Sequence, residues 1–229
     1  MLLSYPNAYS QHDKDIEHQL WVMASLNWKL NGKWTYNQDV SYQHLYEEPT
    51  ITRFITRAQF NRQLTGAFSL HGGMFFFYNL KDEANNSIEL RPWVGAKLRW
   101  PSFWRLDFEH YVRFEERFEH TNTTADWEIG FRIRYKIGTS IPINHLSLVD
   151  RTFYGVVAYE FYGVPFNQEV RFTAEATHRF DLGLGYRQNV KNRYEAVAVA
   201  FDSPDDVTGR HTVANFALFL KYKRYFNWK

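Results

Sequence analysis

An all-β chain, folded as an antiparallel transmembrane β-barrel of ten or twelve strands around a charged lumen, is what this sequence predicts. The first observation is residue-by-residue alternation of polarity. Trp127, Ile129, Phe131, Ile133, Tyr135 and Ile137 alternate with Glu128, Gly130, Arg132, Arg134 and Lys136. Successive side chains of a strand point to opposite faces, so the segment has one apolar and one charged face; a helix would scatter both. The second is length. The alternating segments run about ten residues or more, enough for a tilted strand to cross a bilayer, against a mode of about five to six in soluble proteins. The third is that the apolar faces are aromatic and recur along the chain, with Phe 20, Tyr 15 and Trp 8 among 229 residues. In a soluble sandwich that face meets a second sheet; in a membrane barrel it meets lipid, and the charged face lines the lumen.

The elements follow in order. Leu20, Val22, Ala24, Leu26, Trp28 and Leu30 alternate up to Asn31-Gly32, a type I′ hairpin signal. The return strand carries Trp34, Tyr36, Val40, Tyr42 and Tyr46 outward, with Thr35, Asn37, Asp39, Ser41 and Gln43 inward, and Glu47-Glu48-Pro49-Thr50 is a polar turn. In Ile51–Leu64 the inner face holds Arg53, Arg57, Gln59 and Asn61, the outer Phe54, Ala58 and Phe60. Thr65-Gly66 turns into Ala67–Leu80, with Phe68, Leu70, Met74, Phe76, Tyr78 and Leu80 outward, and residues 81–87 form an exposed loop. The central strands are Ile88–Trp100, Trp104–Phe118 and Trp127–Ile137, the first two joined by a tight turn at Pro101 and the last two by a polar loop over 119–126. Residues 138–151 connect to Phe153–Tyr162; His178–Gln188, Arg193–Phe201 and His211–Phe226 complete the set. Gly183 and Gly185 alternate inside a β pattern with no helix following, which reads as a strand bend rather than a phosphate loop. These are eleven candidates. Bacterial single-chain barrels normally have an even number, hence ten or twelve, with Gln168–Ala176 in reserve as a further strand.

Residues 1–15 read as the remnant of an export signal plus leader, because Ala8-Tyr9-Ser10 has the small-x-small form of a cleavage site; residues 16–229 are then one barrel domain. The formal net charge is +2, so no electrostatic footprint for nucleic acid exists. Cysteine is absent, which suits the cell envelope without proving it. Mean hydropathy is −0.51, and no run approaches the roughly 18 apolar residues of a transmembrane helix. A barrel hides its membrane signal this way, since half of every strand is polar.

The inner register of the three central strands carries the one strong constellation. It contributes the cations Arg91, Lys97, Arg99, Arg105, Arg113, Arg117, Arg132, Arg134 and Lys136, and the carboxylates Glu89, Asp107, Glu109, Glu115, Glu119 and Glu128. Neighbouring strands bring opposite side chains to about 5 Å, so interleaved signs can form a ladder of paired charges. Two readings stay open: an anion-attracting constriction, from the excess of cations, and a self-satisfied plug, since barrels of ten to twelve strands are narrow. Trp28 and Trp34 bracket the first turn and Trp100 and Trp104 the Pro101 turn, as an interfacial aromatic girdle requires. Outward His110, Glu116 and Arg62 mark where strands leave the hydrocarbon.

At this point the chain is similar to the domain-of-unknown-function family 2490. The resemblance rests on Glu89, Arg91 and Trp93; Arg113, Glu115 and Arg117; Arg132 and Arg134; and Arg179 with Gly183, Gly185 and Tyr186. It covers most of Leu20 to Phe226 and implies a bacterial outer-membrane barrel, hence outer-membrane lipid and the barrel-assembly machinery as partners. It implies no activity. One departure is the terminus, where Trp228 precedes a final Lys229 and the usual terminal aromatic is displaced by one residue.

Catalytic patterns are weak. There is no G-x-S-x-G, no H-E-x-x-H and no metal-like Cys/His spacing, so neither a cofactor nor a metal is implied. Ser69 and His71 share a strand face, but it is the lumenal one, whereas a lipid hydrolase needs them on the wall facing the bilayer. The expectation is therefore a non-enzymatic barrel, structural or a narrow, anion-preferring channel. The competitors are a lipid- or lipopolysaccharide-modifying barrel enzyme and a soluble β-barrel or sandwich.

Overall fold

The structure, a computed structural model, describes residues 17–46, 50–81, 86–101, 103–122, 126–165, 178–204 and 211–227. The proposed leader and Gln168–Ala176 lie outside them. The described residues form eleven strands: β1 (Glu17–Asn31), β2 (Trp34–Leu45), β3 (Ile51–Gln63), β4 (Phe68–Leu80), β5 (Ser87–Arg99), β6 (Phe108–Thr121), β7 (Glu128–Pro142), β8 (Thr152–Gly163), β9 (His178–Arg187), β10 (Asn192–Pro204) and β11 (His211–Phe226). Each pairs antiparallel with its chain neighbours, and β1 pairs with β11 to close the barrel.

That closure corrects the expected parity. All eleven candidate segments are barrel strands, so the described residues give eleven where ten or twelve was expected. In an up-and-down meander the first and last of an odd number of strands run the same way. The seam is accordingly parallel, from Glu17↔Asn215 to Trp28↔Phe226, and the barrel is mixed rather than wholly antiparallel. Antiparallel strands can be joined by tight turns, but a parallel pair cannot; here the seam joins the chain's two most distant strands and needs no connection. On the outside Trp28 and Phe226 stack across it, with ring centroids 5.1 Å apart.

Two other local expectations change. The first hairpin turns through Gly32 and Lys33, with Asn31 paired to Trp34 and a register shift at Leu30. A type I′ turn would require positive φ at Lys33, and the described non-glycine residues with positive φ are Trp104, Arg151 and Asn227. The sixth strand begins at Phe108 rather than Trp104. Trp104 takes a left-handed backbone (φ 56°), and Phe103 bridges back to Leu106. Arg105 and Asp107 therefore belong to a protruding turn and not to a strand face.

The two faces follow the alternation. Val22, Phe54, Leu70, Val94, Val112, Ile133, Val157, Leu182 and Leu218 are exposed on the outer wall. Inside, aromatic rings lie over glycines of the neighbouring strand. A Cβ on Gly185 would come 2.2 Å from the Tyr154 ring, and one on Gly73 3.2 Å from the Trp93 ring. Gly183 is as tight, 2.4 Å from the Ala196 carbonyl. Register through Gly183 and Gly185 is unbroken on both sides of β9. These two glycines make room for packing, and no bulge interrupts the strand at them.

Candidate functional site

The lumen is where the charged residues meet. Glu115 on β6 sits opposite Trp93 of β5 and Arg132 of β7, with none of its surface exposed. Four guanidiniums lie within ion-pair distance of its carboxylate: Arg113 at 2.5 Å, Arg132 at 2.6 Å, Arg134 at 3.3 Å and Arg91 at 3.5 Å. Arg91 and Arg117 both reach Glu89, at 2.7 and 2.6 Å. Arg134 extends the network to Glu160 of β8 at 2.8 Å. A carboxylate shared by several guanidiniums satisfies its lone pairs without water, which makes so much buried charge tolerable.

Aromatic rings fill the gaps between these charges. The Arg113 guanidinium carbon lies 5.1 Å from the Trp93 ring centroid and 5.2 Å from that of Phe75. Arg91 stands 4.3 Å over Phe77, and Arg134 4.6 Å over Tyr162. Cation–π attraction is strongest where the cation is desolvated, as it is here.

Of the predicted ladder, Glu89, Arg91, Arg113, Glu115, Arg117, Arg132 and Arg134 form this buried network. Lys97, Arg99 and Glu109 make a separate, half-exposed cluster at one rim, with Lys97 Nζ 2.8 Å and Arg99 Nη2 3.4 Å from Glu109. Lys136 turns to Asp181 of β9 at 3.0 Å. Glu128 faces Glu119 across β7 and β6 near the opposite rim. Arg105 and Asp107 are outside the ladder, because their turn leaves the strand register.

The three-strand ladder leaves out ion pairs on the other strands. Arg179 pairs with Asp181 at 2.6 Å, and Glu195 takes Lys223 at 2.5 Å and the Tyr154 hydroxyl at 2.9 Å. Asp39 pairs with Arg57. The signal for these was available in the same alternation on their own strands. Beyond them the lining becomes apolar: Trp21, Val197, Val199 and Ala217 form a buried cluster, with Val156, Phe201 and Phe219 packed against it. Arg179 joins the two kinds of wall, its guanidinium 5.2 Å from the Trp21 ring and 5.7 Å from Phe201.

Ser69 and His71 do meet in the lumen, Oγ to Nε2 at 2.8 Å. The Gln59 side-chain nitrogen lies 3.2 Å from His71 Nδ1. Ser69 and His71 stand on the lumenal face, away from the outer wall where a lipid hydrolase would need them. Among the described residues, no group of three or more His, Asp or Glu is placed to hold a metal ion.

The predicted tryptophans all fall at one rim, the one carrying the connections at 32–33, 64–67, 100–107, 143–151 and 188–191. Trp28 packs on Tyr36, and Trp34 lies under the Arg62 guanidinium. Trp100 and Trp104 are exposed. A second aromatic band, which the tryptophan positions did not reveal, rings the opposite end: His44 with Tyr42 and Tyr46, His120 with Trp127, and His178 with Tyr159.

The sequence profile of a family described as "Protein of unknown function (DUF2490)" matches residues 18–199. The chain belongs to that family. The match spans β1 through most of β10, so the arginine–glutamate lumen of this DUF2490 protein lies inside the shared region. No curated protein matches the chain.

Proposed function

We propose that this DUF2490 protein is an outer-membrane β-barrel of a Gram-negative bacterium, non-enzymatic, whose lumen is closed by its own paired charges. The observation that carries this reading is the inversion of inside and outside. Among the described residues the buried polar or charged side chains, such as Glu115, Arg113, Glu89 and Asp181, outnumber the buried apolar ones. The outer wall meanwhile exposes Val94, Leu182 and Ile129 by more than half. A soluble protein keeps contiguous exposed apolar patches to a few hundred Å²; an apolar belt all round a barrel matches hydrocarbon. Strands of 10 to 16 residues are long enough to cross it, and the two aromatic bands suit its two interfaces.

Closure is favoured over conduction because the central arginines are buried against carboxylates and rings, and Trp21, Val197, Val199 and Ala217 pack together on another part of the wall. Insertion would fall to the barrel-assembly machinery. The second reading, a lipid-modifying enzyme, rests on the Ser69–His71 contact, whose lumenal position argues against it. The reading is tested by extraction and conductance. The protein is expected to need detergent, to migrate differently on a gel before and after boiling, and to pass little current in a planar bilayer. Recovery as a monodisperse soluble monomer without detergent would overturn the location. A large stable conductance would overturn the closed lumen, and phospholipid or lipopolysaccharide turnover lost in Ser69→Ala would overturn the non-enzymatic assignment.

A further inference from the structure

Inside the barrel, two polar side chains stand among the ion pairs without taking part in them. Trp93 on β5 and Tyr111 on β6 have ring centroids 6.3 Å apart and planes nearly perpendicular, at 86°. Trp93 is 4% exposed. Among the described residues, neither its indole Nε1 nor the buried Tyr111 hydroxyl has a hydrogen-bond partner. Both polar ends lie over glycines. A Cβ on Gly73 would come 3.2 Å from the indole carbon bonded to Nε1, and one on Gly95 would come 3.3 Å from the hydroxyl. On β4, Phe75 and Phe77 stack within the same interior and carry no polar atom. A phenylalanine ring at 93 or 111 would likewise bring no donor to satisfy, whereas a buried donor without an acceptor carries its full desolvation cost.

The surroundings of these two donors are positive. Tyr111 faces Lys97 on β5 and Lys136 on β7, and Lys97 Nζ lies 5.7 Å from its ring centroid. The charges that act most strongly on its hydroxyl are those of Arg113, Arg57 and Arg134. The Arg113 guanidinium carbon is 5.1 Å from the Trp93 ring and 5.8 Å from that of Tyr111. Arg113 and Arg57 both lie over Phe75, at 5.2 and 5.4 Å. Guanidinium and ammonium groups only donate, so none of them can accept the indole or the phenol proton. Three neighbouring acceptors are already engaged. Glu115, across from Trp93, is held by four arginines. Glu109 holds Lys97 and Arg99. His71, 5.3 Å from the Tyr111 ring, has its nitrogens on Gln59 and Ser69.

We propose that the lumen binds one small inorganic anion here, with Trp93 Nε1–H and Tyr111 O–H as its hydrogen-bond donors and Arg113, Arg57 and Lys97 as the positive field around it. Such an anion gives both donors an acceptor. It also adds negative charge where Arg113 has to share Glu115 with three other guanidiniums. The ion is small because rings and paired side chains fill the lumen on either side. The assignment rests on the closed-lumen reading above and deepens it, since the anion is a fixed part of the closure and not a solute in transit.

Thermal unfolding of the detergent-solubilised protein tests it, titrated with sodium chloride against sodium gluconate at matched ionic strength. Wild type is expected to gain stability from chloride along a saturating curve and to gain none from gluconate. Trp93→Phe and Tyr111→Phe each keep an aromatic ring and remove one donor. Each should raise the chloride concentration at half-effect about tenfold, as loss of one hydrogen bond to a charged group predicts. Trp21→Phe is the control. It also removes a lumenal indole N–H, one that donates to Gln19 at 2.8 Å, and should titrate as wild type does. Crystals grown in bromide should show one anomalous peak between Trp93 and Tyr111. Equal stabilisation by the two salts, or titrations unchanged in both Trp93→Phe and Tyr111→Phe, would overturn the anion site; with a low conductance the closed lumen would still stand. The same unchanged titrations together with a large stable conductance would overturn both.

Discussion

The two walls of the lumen solve the same packing problem with opposite chemistry. From β5 to β8 the filling is Glu89, Arg91, Arg113, Glu115, Arg132, Arg134 and Glu160, where nearly every charge is held by a partner of opposite sign. Around β1, β10 and β11 the cluster is Trp21, Val197, Val199 and Ala217, which need no partner, with the Glu195–Lys223 pair beside it. Burying charge carries a desolvation cost that pairing only offsets, so the charged wall gains little net stability from its pairs, yet losing one partner is expensive. The apolar wall gains in proportion to buried area, and its losses are graded. What differs is tolerance: one wall fails by whole charges, the other by methyl groups.

Four substitutions sharpen or break this contrast, each read as unfolding in detergent against wild type. Glu115→Ala should have the largest effect. It leaves four guanidiniums without their shared carboxylate, and breaking a buried pair typically costs about 3–5 kcal/mol. If unfolding is unmoved, water already solvates those arginines and the lumen is wet. Val197→Ala comes next, at about 2 kcal/mol, because a wholly buried apolar side chain is cut back. A loss as large as that of Glu115→Ala would erase the distinction between the walls. Tyr154→Phe keeps the ring over Gly185 but removes the hydroxyl from Glu195. It should cost about 1 kcal/mol, with Lys223 still on the carboxylate. Arg99→Gln should be smallest, about 0–1 kcal/mol, since that pair is exposed at the rim and screened.

The contrast also explains what could be read from the sequence. From Arg113 to Glu119 and from Arg132 to Lys136 every second residue is charged, so Arg113, Glu115, Arg132 and Arg134 announce both their strand and their face. On β10 the run Ala196-Val197-Ala198-Val199-Ala200 is apolar on both sides. Periodicity cannot say which of alanine and valine points inward, and only pairing with β9 and β11 settles it. Trp21 and Trp93 follow the same alternation as their polar neighbours and point inside, Trp93 over Gly73. Arg105 and Asp107 continued the alternation on paper, but Pro101 and the left-handed Trp104 had already taken the chain off the strand. Parity was beyond local reading altogether, because the seam joins residues almost two hundred positions apart.

That seam has a consequence for sidedness. Because β1 and β11 run the same way, the chain enters the wall at one mouth and leaves it at the other, so Glu17 and Phe226 lie at opposite ends of the barrel. In a meander with an even count, both ends would share one compartment. Here, once the barrel is in a bilayer, a peptide tag fused ahead of β1 and another fused after β11 would report from different sides of it.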